Sequence, residues 1–378
     1  MNFGAGLRRR FVDEYRVVNA DEIPTPALLV YREAVAHNIK TMGEMMGGFE
    51  RLRPHIKTHK MAQVAKMEMA AGIDKFKCAT PKEAAMLAAL GVTDILISYH
   101  MVGANIRRIV DLKKSYPLVD LKIIADDANN IQALSDACVQ AHLTLGVMLD
   151  LNTGMDRTGA PVGEPSVVLA KQIADAPGLT FAGLHVYDGH VGNPDPEKRK
   201  ETALDSIGQA IETRRLIAES GVEVPKLVAS GSPGFEHTRL VDEVDEVSPG
   251  TWIFWDTGYG DQLVDSPFRW AALVLSRVIS TTQDDLITLD AGSKSIAPDT
   301  PEPHFRGLGL PDDVTFVRRN EEHQLLRLPK GTTRPNVGDT FYLVPRHVCT
   351  TVNLWDEVYV IDENGQFVET WAVDARGH

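Results

Sequence analysis

Residues 53–60 read Arg53-Pro54-His55-Ile56-Lys57-Thr58-His59-Lys60, and the run from residue 52 predicts a strand that ends on Lys57. A lysine at a strand end holds its amine over the end of a sheet while its backbone stays fixed. An uncharged amine there can form a Schiff base. Burial lowers a lysine pKa, and charges on Arg53, His55, His59 and Lys60 would lower it further if they lie close. Read from these residues alone, a surface lysine in a basic turn is the competing interpretation.

Outward from this stretch, short β-branched or apolar runs alternate with segments of helical period. The runs cover 27–31, 52–57, 75–80, 94–99, 121–126, 143–151, 179–187 and 226–231, with helical candidates such as 32–46, 81–90 and 196–220 between them. This predicts an α/β chain whose eight parallel strands close into a (β/α)8 TIM-type barrel. An open doubly wound sheet fits the same alternation. Motif position decides between them, because reactive groups of a barrel gather where strands end, and each barrel motif described below sits at such a place. After Pro249-Gly250 the pattern becomes strand-like runs at 271–279, 286–289, 324–328, 340–344, 357–361 and 368–372. The expected division is a barrel domain over 25–250 and a second, C-terminal β domain formed by 1–24 and 251–378. Pro335-Asn336, Val337-Gly338 and Glu363-Asn364-Gly365 supply its turns.

Composition narrows the class of function. The 378 residues carry 39 Lys and Arg against 52 Asp and Glu, a formal charge of −13, which disfavours nucleic acid as a partner. The Arg8-Arg9-Arg10 run is read as a solvated terminal segment. No stretch of about 18 apolar residues occurs and no apolar segment follows the basic N-terminus, so a cytoplasmic protein is expected. Cys78, Cys138 and Cys349 are too few and scattered for a disulfide framework.

Three further motifs carry chemistry. Thr153-Gly154-Met155-Asp156-Arg157-Thr158-Gly159 follows the sixth run, where Arg157 can aim a guanidinium at an oxyanion; a solvent-facing arginine is the alternative. Tyr187-Asp188-Gly189-His190 ends the seventh run, and its phenol and imidazole can move protons. Ser230-Gly231-Ser232-Pro233-Gly234 follows the eighth and precedes a helical start, a place where free backbone N–H groups bind phosphate. Without that context the loop would be only a turn. In the C-terminal part, His347 and Cys349 are two apart, so on an extended backbone both face one side. Imidazole and thiolate suit zinc or another borderline divalent metal, whereas plain packing explains most such pairs.

The lysine stretch resembles that of the D-threonine aldolase and D-serine dehydratase family, whose fold is the alanine racemase-like barrel with a C-terminal β domain. The resemblance runs from Ile23-Pro24-Thr25-Pro26-Ala27 to Ala375-Arg376-Gly377. It implies that Lys57 carries pyridoxal 5'-phosphate, that Arg157 lies by the phenolate oxygen, and that Ser230, Gly231, Ser232 and Gly234 hold the phosphate. Pro233 departs from the Gly/Thr-rich loop of the aldolases by removing a donor. Tyr187 matches a family tyrosine, while the histidine that follows it in aldolases is closer here, at His190. The resemblance also implies a divalent metal (zinc, manganese or magnesium) on His347 and Cys349. A cysteine at this second position is the dehydratase pattern, yet Asn353-Leu354-Trp355-Asp356 and Phe254-Trp255-Asp256-Thr257-Gly258-Tyr259-Gly260 resemble the aldolases. Asp290-Ala291-Gly292-Ser293-Lys294 and Glu321-Glu322-His323 also resemble aldolase segments.

The activity so implied is a lyase acting on D-3-hydroxy amino acids. D-threonine aldolase-like cleavage to glycine and an aldehyde is the first expectation; dehydration of D-serine or D-3-hydroxyaspartate to a keto acid and ammonia is the second. A non-catalytic pyridoxal phosphate carrier would not need the β domain, and alanine racemases lack the metal pair. Relatives of this plan pair head to tail, which implies a homodimer.

Overall fold

The computed structural model describes residues 14–378, so Arg8-Arg9-Arg10 lies outside the described residues. The chain divides into two compact units. Met42–Lys57 with Ala65–Gly250 make one; residues 14–41, Thr58–Val64 and Thr251–Gly377 make the other.

In the first unit the βα alternation becomes a parallel sheet of Lys75–Cys78, Asp94–His100, Asp120–Ala125, Leu145–Asn152, Leu179–Val186, Leu227–Ala229 and Glu246–Val247, neighbours in that order. Parallel bridges from Leu52 to Val247 and from His55 to Lys77 set residues 52–55 between its first and last strands. The barrel closes there. Backbone N–H groups of Arg53 and Lys77 donate to the carbonyls of Val247 and Pro54, each at 2.9 Å. Leu96, Ile124, Met148 and Val228, from four strands, form one buried cluster inside this unit.

The helices begin where short polar side chains can cap them. Thr80 accepts from the Glu83 N–H while the Glu83 carboxylate accepts from the Ala79 N–H, a reciprocal cap that starts Pro81–Ala89. Asp127 and Asp195 cap Ala128–Gln140 and Pro196–Glu219 in the simpler way, with Pro196 in the first turn.

Three assignments differ from the sequence expectation. Ala27–Tyr31, counted above as a barrel strand, pairs antiparallel with Ala272–Gln283 and parallel with Glu357–Ile361 in the second unit. All five of its residues are buried, a pattern shared by barrel strands and by the centre of a mixed sheet, so periodicity could not separate them. Residues 25–41 and 58–64 accordingly group with the C-terminal unit. The last barrel place is filled instead by Glu246–Val247, two residues that are too short to show any period. Finally, 52–57 is no regular strand, because Pro54 lacks an N–H for the ladder and the chain turns into the 3-10 helix Ile56–Thr58.

The second unit contains a nine-stranded sheet in which Ala272–Gln283 is central, with Thr340–Pro345 and Leu286–Leu289 also paired to it. Phe305–Leu308 and Thr315–Arg319 are strands that the sequence pattern did not reveal. No helix among the described residues is long and apolar enough to cross a membrane. None of the three cysteines is in a disulfide.

Closure is reinforced by charge. The Arg53 guanidinium donates to both Asp94 oxygens at 2.8 and 2.9 Å and to Glu246 at 2.5 Å, and the side chains of Arg53 and Glu246 are only 1% and 3% exposed. Burial works against both carboxylates, but Arg53 with Lys122 carries Asp94 well below its ordinary range, and Arg53 with Lys226 lowers Glu246. Arg53→Met leaves two carboxylates short of their main partner and should destabilise the protein by about 3 kcal/mol in urea unfolding. Carboxylates depressed in the folded state stabilise above their unfolded pKa of about 4, and lose that contribution as pH falls through the folded values. The stability gap between wild type and Arg53→Met should therefore narrow in acid.

Candidate active site

The turn Ile56–Thr58 puts Lys57 just past the closing segment, with its side chain half-buried. Its backbone N–H donates to His55 Nδ1 at 3.3 Å, and His55 Nε2 lies 3.3 Å from the Ser98 hydroxyl. His55 is thus part of the wall. Lys57 Nζ sits 5.6 Å from the centroid of the Tyr187 ring, and the Arg157 guanidinium 4.6 Å from the same centroid. Of the charged neighbours in sequence, His55 meets the Lys57 backbone, and Arg53 is engaged with Asp94 and Glu246.

Arg157 projects because its loop folds back on itself. Asn152 Oδ1 accepts from the N–H groups of Gly154 and Asp156, both at 3.1 Å, and the Thr158 hydroxyl donates to Asp150 at 2.9 Å. His190 occupies the space left by the missing side chain of Gly154: a Cβ there would stand 2.9 Å from His190 Nε2. His190 Nδ1 is buried without a partner. The loop with Arg157 and the turn with His190 therefore meet.

Ser230-Gly231-Ser232-Pro233-Gly234 does follow the strand Leu227–Ala229, but its small residues serve close packing. The Tyr187 ring would be 2.7 Å from a Cβ on Gly231, and Asp188 would collide with one on Gly234. Asp188, itself buried, accepts from the Ser230 hydroxyl at 2.7 Å and the Gly231 N–H at 2.5 Å. Burial raises the pKa of its carboxyl. Ser232 Oγ accepts from the Gly250 N–H at 3.3 Å.

Several polar groups inside this unit were not singled out from sequence. Lys77 is fully buried, donates to Ser248 Oγ at 2.5 Å and lies 3.5 Å from His185 Nε2. His185 Nδ1 is 2.7 Å from Asp150, which lies 3.8 Å from His100, itself 3.2 Å from Asp126. The last contact has the spacing of an ion pair without an aligned hydrogen bond. Ligand atoms of His100, Asp126 and Asp150 lie within 4.8 Å of one another, the one group of three such residues among those described. Their carboxylates are already supplied with donors, Asp126 by the Gly159 N–H and Asp150 by Thr158 and His185, so an ion-pair network accounts for them. The available signal was a charged residue inside an apolar run, as in Phe76-Lys77-Cys78 and Leu184-His185-Val186.

In the second unit His347 and Cys349 do come together, though not along a strand. His347 is the extended residue that caps Val348–Val352, and Cys349 lies within that helix. Burial opposes a charge on His347, but the Cys349 sulfur, Asp299 and Asp256 outweigh it and push the imidazole up to about 10. His347 Nδ1 lies 2.5 Å from Asp299, and Cys349 Sγ lies 3.1 Å from the Thr58 hydroxyl. Asp299 is a further polar neighbour that no spacing rule indicated. Asp256, buried and raised to about 6 by that burial, accepts from the Val348 and Tyr259 N–H groups and so anchors the helix start. The 290–294 and 321–323 segments meet each other through exposed pairs of Lys294 with Glu321 and Glu322, at 2.7 and 3.1 Å.

Comparison with known proteins covers nearly the whole chain. Residues 30–257 match the family model described as alanine racemase, N-terminal domain, and 271–361 that described as putative serine dehydratase domain. The chain is 30% identical over 359 residues to a D-threonine aldolase of an Arthrobacter species, spanning 94% of this chain and 93% of that protein. It is 30% identical over 372 residues to a 3-hydroxy-D-aspartate aldolase of Paracoccus denitrificans (strain Pd 1222), spanning 95% and 94%. The crystal structure of a D-threonine aldolase from Filomicrobium marinum superposes with a TM-score of 0.86 at 30% identity, over 94% of this chain and 96% of that one.

Asp188→Ala should leave the buried Gly231 N–H and Ser230 hydroxyl without their acceptor, at a cost of about 1–3 kcal/mol in urea unfolding. Asp188→Asn keeps an oxygen for the Gly231 N–H and should cost less.

Proposed function

We propose that this chain, which belongs to the D-threonine aldolase and D-serine dehydratase family of pyridoxal phosphate-dependent lyases with the alanine racemase-like fold, cleaves D-3-hydroxy amino acids between Cα and Cβ, releasing glycine and an aldehyde. The observation that carries this reading is the convergence of Lys57 and Arg157 on Tyr187, in a chain matched along nearly its full length by aldolases.

The residues present fit the cofactor. Lys57 offers the amine for covalent attachment, Arg157 a cation for the phenolic oxygen, and residues 230–234 a small-residue loop at a strand end for the phosphate. Because Asp188 takes the Gly231 N–H and the Ser230 hydroxyl, and the Ser230 N–H donates to Val186, the phosphate would fall to Ser232 and Gly234, with Ser230 and Gly231 shaping the loop. Pyridoxal phosphate, when bound, supplies an electron sink for the bond broken at Cα. Tyr187 orients the ring side of the site, and His190, with its buried Nδ1 open, takes the proton of the substrate hydroxyl.

His347 and Cys349 fit a divalent ion (zinc, manganese or magnesium), being an imidazole and a thiol already in contact. Such an ion supplies a Lewis acid for a substrate oxygen. The expected setting is a cytoplasmic homodimer acting on small D-amino acids; full activity in a stable monomer across a dilution series would exclude the dimer.

A second reading, elimination to a keto acid and ammonia, is favoured by Cys349 and by the match of 271–361 to the serine dehydratase domain. Incubation with D-threonine, D-3-hydroxyaspartate and D-serine, with assays for glycine, aldehyde, keto acid and ammonia, separates the two. Glycine with an equivalent of aldehyde is expected; keto acid without aldehyde would overturn the aldolase. Lys57→Ala should abolish product formation in either case, together with borohydride-fixed cofactor at that position. Chelation should lower the rate at least about a hundredfold, and His347→Ala or Cys349→Ala should lower bound metal in elemental analysis.

A further inference from the structure

His347 is held from both sides. Its Nδ1 lies 2.5 Å from one oxygen of Asp299, and its ring is also in contact with the Cys349 sulfur. The two imidazole nitrogens point away from each other across the ring, so with Nδ1 at Asp299 the nitrogen left for the sulfur side is Nε2. Among the described residues, ligand atoms of Asp299, His347 and Cys349 do not all come within 4.8 Å of one another. The carboxylate and the sulfur therefore flank the imidazole instead of sharing one centre.

Asp299 is itself fixed. Its other oxygen accepts from the Thr350 hydroxyl at 3.0 Å, and two residues earlier the Ala297 N–H donates to the Thr351 hydroxyl at 3.2 Å. Thr351 donates in turn to the His347 carbonyl at 2.9 Å. Side chain and backbone of residues 297–299 are thus both tied to the short helix Val348–Val352 that carries Cys349. On the sulfur side, the hydroxyls of Thr58 and Thr251 stand 3.1 and 3.6 Å from Cys349 Sγ. Each member of the pair has its own partners behind it.

We propose that Asp299 is the positioning residue of the metal pair: it accepts the Nδ1 proton of His347, fixes the tautomer whose lone pair is on Nε2, and so aims that nitrogen at the ion held with Cys349. This rests on the reading of His347 and Cys349 as metal ligands. A neutral imidazole carries one N–H and one lone pair, and only the bare nitrogen binds a metal. Without a partner on Nδ1, His347 would divide between two tautomers and turn about its side-chain bonds, and both freedoms are lost when an ion binds. The carboxylate removes them beforehand and raises the basicity of the ligating nitrogen through the ring. The side chains of His347 and Asp299 are 36% and 38% exposed, so as a mere ion pair the contact would be worth little, and nothing in such a pair would require Thr350 to hold the second oxygen.

The test uses the full-length protein freed of divalent ions, with zinc or cobalt alone as the probe and a chromophoric chelator as competitor. Wild type should bind an ion that His347→Ala loses; without such an ion the metal reading itself fails, and Asp299 with it. Given that ion, Asp299→Ala should bind it about 10–100-fold more weakly. Asp299→Asn keeps an oxygen for the Nδ1–H but not the charge, and should bind at least about threefold more weakly than wild type. In the cobalt form, sulfur-to-cobalt charge transfer should persist in Asp299→Ala because Cys349 is untouched, while the visible ligand-field bands shift as the imidazole loosens. Placed on His347→Ala, Asp299→Ala should cause no further loss of affinity, since Asp299 acts only through that ring. Wild-type affinity or unshifted bands in Asp299→Ala overturn the proposal. A further loss in the double variant overturns it too, because the carboxylate would then be a ligand in its own right. Should Asp299→Ala not fold, Asp299→Asn decides alone, and wild-type affinity there is the overturning result.

Discussion

The guanidinium of Arg53, buried between Asp94 and Glu246, is the contact on which the barrel unit depends. The segment that closes the sheet is tied to its neighbours by backbone hydrogen bonds at Arg51, Arg53, Pro54 and His55, but Pro54 has no N–H to add. Side chains from three places in the chain add to these bonds. The arrangement is held in place because each charge needs the others: a carboxylate as buried as Glu246 is tolerable only with its cations beside it. Once the segment is pinned, the turn that follows has little freedom, and Lys57 comes to rest against Tyr187.

The two ends of the barrel use charge differently. Asp94, Asp120 and Glu246 begin their strands and pair with Arg53, Lys122 and Lys226, so that cations and anions balance in fixed pairs. His100, Asp150 and His185 lie near the ends of theirs, where imidazoles take the place of guanidinium and ammonium groups beside the carboxylates. The same sheet thus stores stability at one rim and reactivity at the other, the usual division in such barrels. In the second unit a short helix start does the equivalent task. Asp256 fixes the first turn through Val348, and this brings an imidazole and a thiol into contact where a strand would have kept them further along one face.

Much of this was legible in order and chemistry. Lys57, Arg157, Tyr187 and His190 each follow or end an apolar run; strands supply the last three, whereas Lys57 follows a bridged segment and a 3-10 turn. Less was legible where a residue's role depends on a partner far along the chain. Arg53 looked like a charge beside Lys57 but faces Asp94 and Glu246, and Gly231 looked like room for an anion but is filled by Tyr187 and Asp188.

The order of polar and apolar residues predicted an α/β chain with reactive groups at strand ends, followed by a β domain, because periodicity and strand-end position are local properties; alternation alone also fitted a doubly wound sheet, and His347 and Cys349 meet at a helix start rather than along the extended backbone expected of them. Which strand closes the barrel, where Ala27–Tyr31 pairs, and how Lys77 is joined to His100 depended on folding in three dimensions. A fully buried run suits more than one sheet, and a buried charge reveals its use only when its distant partner is in place.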